Sequence, residues 1–248
     1  MEIVYKKPSN LSETQPNNFC PGCMHSTAWK LIGEVLDEMG LTEQCVWIAG
    51  VGCVANAHRY IELDQFNQPH GRACAGASAF KRCNPDTFLF TYQGDGDLAA
   101  IGLGETISAA NRGDNFTVIF INNGIYGMTG GQMAPTTLIG SKTTTTPFGR
   151  TAGEHGYPIH MCELLNTLQA PSYIARCTTA DVPNVRKTKN CIRKAFQNQL
   201  DGKGFSLVEV LSSCPTNWGM TPQKALEWID EKMIPQYPLG VYKDKEAK

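Results

Sequence analysis

The sequence predicts a doubly wound α/β fold with a mainly parallel sheet, and two observations lead to it. Short apolar runs rich in β-forming residues alternate with longer stretches in which apolar residues recur at helical spacing. Glycine-rich polar segments follow two of these runs, at the sheet edge where open α/β folds bind ligands. With 248 residues and no convincing linker, the chain is expected to form a single domain over residues 1–248.

The elements follow in chain order. The first helix is predicted at 24–39, where apolar residues keep helical spacing up to Gly40. Buried parallel strands are predicted from apolar runs too short for helices, at 45–50, 87–92, 116–122, 172–177 and 205–211. Further helices are predicted near 72–83, 98–111 and 181–200. The stretch 124–157, rich in Gly, Thr and Pro, is expected to be a long functional loop.

Composition excludes several classes of function. With 22 basic and 23 acidic residues, the chain has no broad attraction for nucleic acid or anionic lipid, so small molecules or proteins are the expected partners. There is no run of eighteen apolar residues, and the first ten residues lack the apolar core of a secretory signal. A cytoplasmic protein without a membrane span is therefore expected. Ten cysteines in such a chain indicate metal ligation or core packing rather than disulfides.

The strongest chemical signal is "QGDGDLAAIGLGE" at 93–105, which follows a predicted strand and opens a helix. It is not a dinucleotide fingerprint, because Ala99 stands where the third glycine is required. Asp95 in this turn would repel a diphosphate unless a divalent cation lay between them, and Mg²⁺ prefers carboxylate, amide and carbonyl oxygens. The next strand ends in "FINNGIYGMTGGQ" at 120–132, which offers two asparagines and a glycine-rich backbone able to approach a ligand closely.

Gly94-Asp95-Gly96, followed about 25 residues later by Asn122-Asn123, resembles the signature of thiamine diphosphate enzymes. The resemblance implies a sheet of the thiamine diphosphate-binding type, with Mg²⁺ held by Asp95, the Asn123 amide and the Ile125 carbonyl. The cofactor-binding residues expected on this basis are Gly94, Asp95, Gly96, Asp97, Asn123, Ile125, Gly127, Cys53 and, towards the diphosphate, His70 or Arg72. The simpler alternative is a turn with a solvated aspartate and an asparagine cap.

Four further segments occur in order: "CPGC" at 20–23, "GVGC" at 50–53, "HGRA" at 70–73 and "SCPTNW" at 213–218. Together they resemble the β subunit of 2-oxoacid:ferredoxin oxidoreductases over roughly residues 18–220. The resemblance implies a 4Fe-4S cluster held by Cys20, Cys23, Cys53 and Cys214.

Zinc is the main alternative for these four cysteines, although zinc sites usually draw on two close pairs and this chain offers one pair and two single cysteines. A thioredoxin-like disulfide exchanger would leave the two remote cysteines unexplained. The remaining cysteines, read as core packing, are Cys45, Cys74, Cys83, Cys162, Cys177 and Cys191.

The same resemblance implies a coenzyme A-dependent oxidative decarboxylation of a 2-oxoacid, with electrons passing through the cluster to ferredoxin. No catalytic side chain is identified, and the sequence shows no glutamate site for the aminopyrimidine and no ferredoxin-type cysteine run. In this family those parts belong to partner subunits, including a pyrimidine-domain (α) subunit. The chain alone is therefore expected to be inactive.

The loop segments 126–137 and 143–150 look most like those of members that act on branched-chain 2-oxoacids such as 2-oxoisovalerate. Gly130 and Asn56 stand where some members carry lysine, so these positions are expected to offer no positive charge that could bind a second carboxylate of the substrate. Related members use 2-oxoglutarate, pyruvate or aromatic 2-oxoacids. A different class, a non-catalytic electron-transfer or zinc-stabilised assembly subunit, also remains open. A basic run at 186–194 is interpreted as a solvated helix face, with ferredoxin docking as the alternative.

Overall fold

The computed structural model describes residues 6–245; five residues of the N-terminal stretch considered above and the last three of the chain lie outside this range. The strands that form its main sheet are β1 (Cys45–Ala49), β2 (Asp64–Asn67), β3 (Phe88–Gly94), β4 (Thr117–Asn122), β7 (Tyr173–Thr178), β8 (Ser206–Leu211) and β9 (Gly240–Asp244). A separate two-stranded ribbon is made by β5 (Ile125–Tyr126) and β6 (Gln132–Met133). In the part of the chain that is described, the main sheet has the order β2-β1-β3-β4-β8-β7-β9.

The helices are α1 (His25–Glu38), α2 (Ala73–Cys83), α3 (Leu103–Arg112), α4 (Ala152–His155), α5 (Met161–Asn166), α6 (Val182–Leu200), α7 (Pro215–Trp218), α8 (Pro222–Trp228) and α9 (Ile234–Gln236). Short 3₁₀ turns lie at Thr42–Gln44 and Cys53–Ala57, and wider π-helical turns at Gly96–Ile101 and Ile229–Met233. The helix predicted near 98–111 therefore begins earlier, with the π-helical turn Gly96–Ile101, and is interrupted at Gly102 before α3 begins.

The sheet is parallel except for β9, which pairs antiparallel with β7. Successive side chains point to opposite faces of a strand, and both faces of this sheet are covered. On β1, Trp47 packs with α1 and α6, whereas Ile48 packs on the other face with α2 and α3. Two-sided burial explains the continuous apolar runs of the central strands, and the predicted α/β class is confirmed.

The sequence missed both edge strands, for a common reason. Among residues 6–245, β2 and β9 each meet a neighbouring strand on one side only, and their residues are largely exposed or half-buried. Such strands need no apolar run, so "DQFN" and "GVYKD" carry no strand signal. The C-terminal helices α7 to α9 were also not predicted.

The strand register decides where the loops meet. Gly94 at the end of β3 pairs with Ile121 of β4, and Asn122 pairs with Leu211 of β8. The carboxyl ends of these parallel strands therefore lie at one edge of the sheet, with the end of β1 beside β3. The segments that follow them, which carry the two predicted motifs and two of the four cysteines, converge there.

The basic run on α6 contacts α1. Lys189 Nζ lies 2.7 Å from Glu34 Oε2 and 2.7 Å from Glu38 Oε1, and Arg193 also pairs with Glu38. These two basic side chains remain partly exposed, as expected of a solvated face, but they also join two helices through ion pairs that the sequence did not predict. None of the described helices combines the length and the apolar character that crossing a membrane requires.

Candidate functional site

Asp95 is the centre of the site. It follows β3 directly and is 3% exposed. Its Oδ1 accepts a hydrogen bond from Gly96 N at 2.9 Å, and its Oδ2 accepts from Ile125 N at 3.1 Å and from Thr136 Oγ1 at 2.9 Å. These donors are all neutral, and burial raises the pKa of this carboxyl to about 6. An ionised Asp95 is thus hydrogen-bonded but has no counter-charge among these contacts.

The second motif reaches the same point. Asn123 Oδ1 accepts from Ile125 N at 3.3 Å, across a turn in which Gly124 adopts a φ of +65°. A residue with a side chain rarely adopts this left-handed conformation, so glycine is required between the two. The structure brings Asp95, Asn123 and Ile125 together, and their carboxylate, amide and carbonyl oxygens are of the type that Mg²⁺ prefers.

A cavity of about 110 Å³ opens beside Asp95. The loops that follow β1, β3 and β4 form its walls, together with the start of α1 and the segment before α2. Nine of the ten residues predicted to bind the cofactor line it: Cys53, His70, Gly94, Asp95, Gly96, Asp97, Asn123, Ile125 and Gly127. The sequence motifs, far apart in the chain, therefore share one pocket.

Arg72 is the exception among the predicted residues. Its guanidinium Nη1 lies 2.7 Å from Glu105 Oε1 on the outside of α2 and α3, with its side chain 47% exposed. His70, by contrast, lines the cavity, and its Nδ1 lies 2.6 Å from Asp97 Oδ1. Of the two candidates for the diphosphate, only the histidine is at the cavity.

Like Asp95, Asp97 accepts hydrogen bonds on both of its oxygens, but its donors belong to the loop after β1, the segment before α2 and strand β3. Oδ1 accepts from Gly71 N at 2.8 Å and from Val51 N at 3.1 Å, in addition to the contact with His70. Oδ2 accepts from Gln93 Nε2 at 2.6 Å. Asp97 therefore joins these three segments, which is a role that the motif alone did not reveal.

His25 belongs to none of the motifs described above, yet it lies in the cavity wall. Its Nδ1 is 2.7 Å from Tyr92 Oη, and its ring stacks on Phe19 with 5.0 Å between centroids. Burial lowers the pKa of the imidazole to about 4, so it is neutral at pH 7. Its position two residues after the Cys-Pro-Gly-Cys segment was the only signal that could have suggested it.

The four predicted cluster cysteines approach the same edge. Cys23 N donates to Cys20 O at 3.0 Å, which closes the turn at Gly22, and Ser213 Oγ donates to Gly22 O at 2.7 Å. The segment before Cys214 thereby holds the first cysteine loop in place.

Gly127 connects this group of cysteines to the cavity. A Cβ at Gly127 would lie 3.1 Å from Cys53 Sγ and 3.6 Å from Cys214 Sγ, so the two sulfurs flank a residue that also lines the cavity. Asn217 Nδ2 donates to Cys214 Sγ at 3.2 Å and to Gly127 O at 2.9 Å.

These thiols are ill suited to remain as isolated thiolates. Burial, followed by repulsion from neighbouring cysteines, raises the pKa of Cys23 to about 12 and that of Cys53 to about 11. Within residues 6–245, no three His, Cys, Asp or Glu side chains are grouped as for one metal ion. A cubane takes one thiolate on each of four irons, so its ligands need not meet at a single point. Four thiols at this edge are the donor type of both a 4Fe-4S cluster and a tetrahedral zinc site.

The six remaining cysteines mostly pack as predicted. Cys45, Cys74, Cys162 and Cys177 are buried, and Cys191 is half-buried against the core. Cys83 is the exception, because it ends α2 and is exposed.

Gly96 offers a test of the cavity wall. A Cβ at this position would overlap the ring of Tyr126, which also lines the cavity. Gly96→Ala is therefore expected to displace Tyr126 and weaken cofactor binding, as measured by calorimetry. Gly104→Ala is the control, since a Cβ there meets nothing within 4 Å and alanine favours the helix by about 0.5–1 kcal/mol. Equal affinity in both variants would show that Tyr126 does not shape the site.

The fold and the converging motifs define a thiamine diphosphate-binding domain. In agreement with this, the family described as "Thiamine pyrophosphate enzyme, C-terminal TPP binding domain" matches residues 41–210. The ketoisovalerate oxidoreductase subunit VorA of Methanothermobacter thermautotrophicus is 45% identical, over 99% of this chain and 53% of that protein. The 2-oxoglutarate synthase subunit KorB of Methanocaldococcus jannaschii is 37% identical, over 88% of this chain and 79% of that protein.

The chain therefore belongs to the 2-oxoacid:ferredoxin oxidoreductase family, among the subunits of the VorA and KorB type. It spans about half the length of the VorA proteins that it matches. The fold is shared with a solved structure of 2-oxoglutarate:ferredoxin oxidoreductase from Magnetococcus marinus, with a TM-score of 0.77 and 24% identity over 99% of this chain and 87% of that one.

Proposed function

We propose that the chain binds thiamine diphosphate through Mg²⁺ and acts in the oxidative decarboxylation of a 2-oxoacid. The observation that carries the proposal is the buried Asp95 carboxylate, which has only neutral donors and lies beside Asn123 and Ile125 at a cavity. Burying a carboxylate without a counter-charge is costly, and a divalent cation at this point would offset that cost. Bound there, thiamine diphosphate would supply the electron sink that lets the carboxylate of the substrate leave as CO₂.

The proposed 4Fe-4S cluster would be held by Cys20, Cys23, Cys53 and Cys214 and would accept electrons for ferredoxin. Its support is the position of Gly127, which lines the cavity and is flanked by the sulfurs of Cys53 and Cys214. A cluster at this place would lie directly beside the cofactor, as one-electron transfer from the active site requires. The Asn217 amide, which donates to Cys214 Sγ, is the kind of contact that tunes a cluster potential.

A branched-chain 2-oxoacid is the proposed substrate, with coenzyme A as acyl acceptor. Gly130 and Asn56 offer no cation for a second carboxylate, and the half-exposed Met128 supplies apolar surface to the cavity. The name ketoisovalerate oxidoreductase, printed for a relative that is 45% identical, points in the same direction. The partners are proposed to be a pyrimidine-domain subunit and further subunits of the same enzyme, since the relatives that the chain matches are named as subunits of such oxidoreductases.

The test is a cofactor and substrate inventory of the native complex, purified without oxygen through a tag on this chain. We expect at least four irons per copy of this chain, with any excess belonging to clusters of the partner subunits, together with thiamine diphosphate and Mg²⁺, and faster ferredoxin reduction with 2-oxoisovalerate than with 2-oxoglutarate or pyruvate. A colourless complex with stoichiometric zinc and no thiamine diphosphate would support the assembly-subunit alternative instead. A brown complex that prefers 2-oxoglutarate would overturn the proposed substrate alone.

A further inference from the structure

Two charged residues lie inside the central sheet, opposite each other on neighbouring strands. Arg176 of β7 pairs in register with Glu209 of β8, and both side chains are completely buried. Arg176 Nε donates to Glu209 Oε2 at 2.9 Å, and its Nη1 and Nη2 donate to Glu163 Oε1 at 2.9 Å and Oε2 at 2.6 Å. A buried ion pair contributes little net stability after desolvation, so stability alone does not explain why this pair lies in a core.

Glu209 connects the pair to the second motif. Its Oε1 accepts from Asn122 Nδ2 at 2.7 Å, and Asn122 Oδ1 accepts from Gly124 N at 3.2 Å. An ionised carboxylate only accepts hydrogen bonds, so it fixes the NH₂ group of Asn122 towards itself and the amide oxygen towards Gly124. That orientation stabilises the turn between Asn123 and Ile125, the two residues proposed to offer oxygens to Mg²⁺.

A second connection runs from Arg176 to the other proposed ligand. The Arg176 guanidinium lies over the ring of Tyr237, 5.2 Å from its centroid. Tyr237 Oη donates to Thr136 O at 2.7 Å, and Thr136 Oγ1 donates to Asp95 Oδ2 at 2.9 Å. Both loops that would hold the metal are thus supported from the same buried guanidinium.

We infer that the buried Arg176–Glu209 pair positions the Mg²⁺-binding loops, with Glu209 acting through Asn122 and Arg176 also acting through Tyr237. This inference rests on the proposed function, because it assigns these residues to the proposed metal site. Mg²⁺ demands near-ideal octahedral geometry, so small displacements of its ligands reduce affinity. Changing a residue that orients metal ligands typically reduces metal affinity about 10–100-fold. Glu209 and Arg176 are positioning residues, since neither lines the cavity.

The deciding variant is Glu209→Gln, studied in the native complex by measuring thiamine diphosphate binding as a function of Mg²⁺ concentration. Arg176 and Asn122 donate to different oxygens of Glu209, and in a glutamine one of these two positions becomes an NH₂ group that cannot accept. We therefore expect the Mg²⁺ concentration for half-saturation to rise roughly 10–100-fold. Glu163→Gln is the matched control. Glu163 pairs with the other end of the same guanidinium and its side chain is 39% exposed, so this change should lower the melting temperature without moving the Mg²⁺ half-saturation.

Two further variants distinguish the connection that runs through Asn122 from the one that runs through Tyr237. Asn122→Ala leaves the Arg176–Glu209 pair intact but cuts its link to the turn, and should raise the half-saturation concentration like Glu209→Gln. Tyr237→Phe removes one hydroxyl, and should produce a smaller rise. If Glu209→Gln does not assemble, Asn122→Ala decides the question, because Glu209 acts through this amide.

Three results would overturn the inference. The first is unchanged Mg²⁺ half-saturation in Glu209→Gln or, if that variant does not assemble, in Asn122→Ala. The second is an equal shift in Glu209→Gln and Glu163→Gln that follows their melting temperatures, which would mean a purely structural role. The third is a wild-type complex that binds no thiamine diphosphate, which would remove the proposed function as well; the first two leave that function standing.

Discussion

Replacing Asp95 with asparagine is expected to reduce the Mg²⁺-dependent affinity for thiamine diphosphate by about two orders of magnitude while the chain remains folded. The oxygen of the new amide would still accept from Ile125 N and Thr136 Oγ1, because both donate to the same oxygen, Oδ2, of the carboxylate. The variant would lose the contact with Gly96 N and the negative charge. It thus removes the charge that would attract a cation and retains most of the local hydrogen bonding. Calorimetry with Mg²⁺ and thiamine diphosphate measures the loss directly.

Asp114→Asn is the matched control for this prediction. Asp114 is a partly buried carboxylate that pairs with Arg112, and it does not line the cavity. Its change should leave cofactor affinity unaltered, and both variants should retain the iron of the wild-type complex. Unchanged affinity of the Asp95 variant for thiamine diphosphate would mean that this residue does not bind the metal. That conclusion would not depend on the assignment of the cluster.

The central strands could be predicted because each is buried on both faces and therefore reads as an apolar run. The lack of two-sided burial explains why the sequence did not predict the edge strands. The edge strand Asp64–Asn67 needs no such run, and within the described part of the chain the C-terminal strand Gly240–Asp244 pairs on one side only. These strands form because their backbone pairs with a neighbouring strand. Such pairing cannot be predicted from the pattern of side chains within one segment.

For the candidate site, sequence reasoning located the residues but not their individual roles. Asp95 and Asp97 stand in one motif and look equivalent, yet Asp95 contacts the segment after β4, which carries the second motif, whereas Asp97 contacts the loop after β1, the segment before α2 and strand β3. Arg72 follows His70 by two residues but points to Glu105. These differences arise from contacts between segments that are distant in sequence.

A visible signal for the buried network was present in the sequence. Arg176 interrupts "SYIARC" and Glu209 interrupts "FSLVEVL", and a charge in the middle of a buried run is almost never left unpaired. Their pairing could have been suggested from opposite charges in two predicted strands. Their connection to Asn122 could not have been predicted from the sequence, because it depends on the register between β4 and β8.

Changing Cys214 to serine is expected to cause loss or conversion of the proposed 4Fe-4S cluster while leaving Mg²⁺ and thiamine diphosphate bound. Serine offers a hard, poorly ionised oxygen in place of a soft thiolate. The Asn217 amide, which donates to Cys214 Sγ, would then support a ligand that binds iron weakly. Iron analysis and the broad visible absorbance of the anaerobic complex measure the change, and electron delivery to ferredoxin should fall with them.

Cys45→Ser supplies the comparison for this last prediction, because Cys45 is a buried cysteine at the opposite end of β1 from Cys53. A hydroxyl placed there without a partner should cost about 1–3 kcal/mol of unfolding free energy and no iron. Since both variants replace one sulfur with one oxygen, a general loss of stability would affect them alike, whereas a ligand role affects only Cys214. Iron retained in Cys214→Ser but lost from Cys45→Ser would mean that the four cysteines at the cavity edge are not the ligands. Iron lost together with thiamine diphosphate in Cys214→Ser would mean instead that the cluster and the Mg²⁺ site depend on each other, through Gly127 between them.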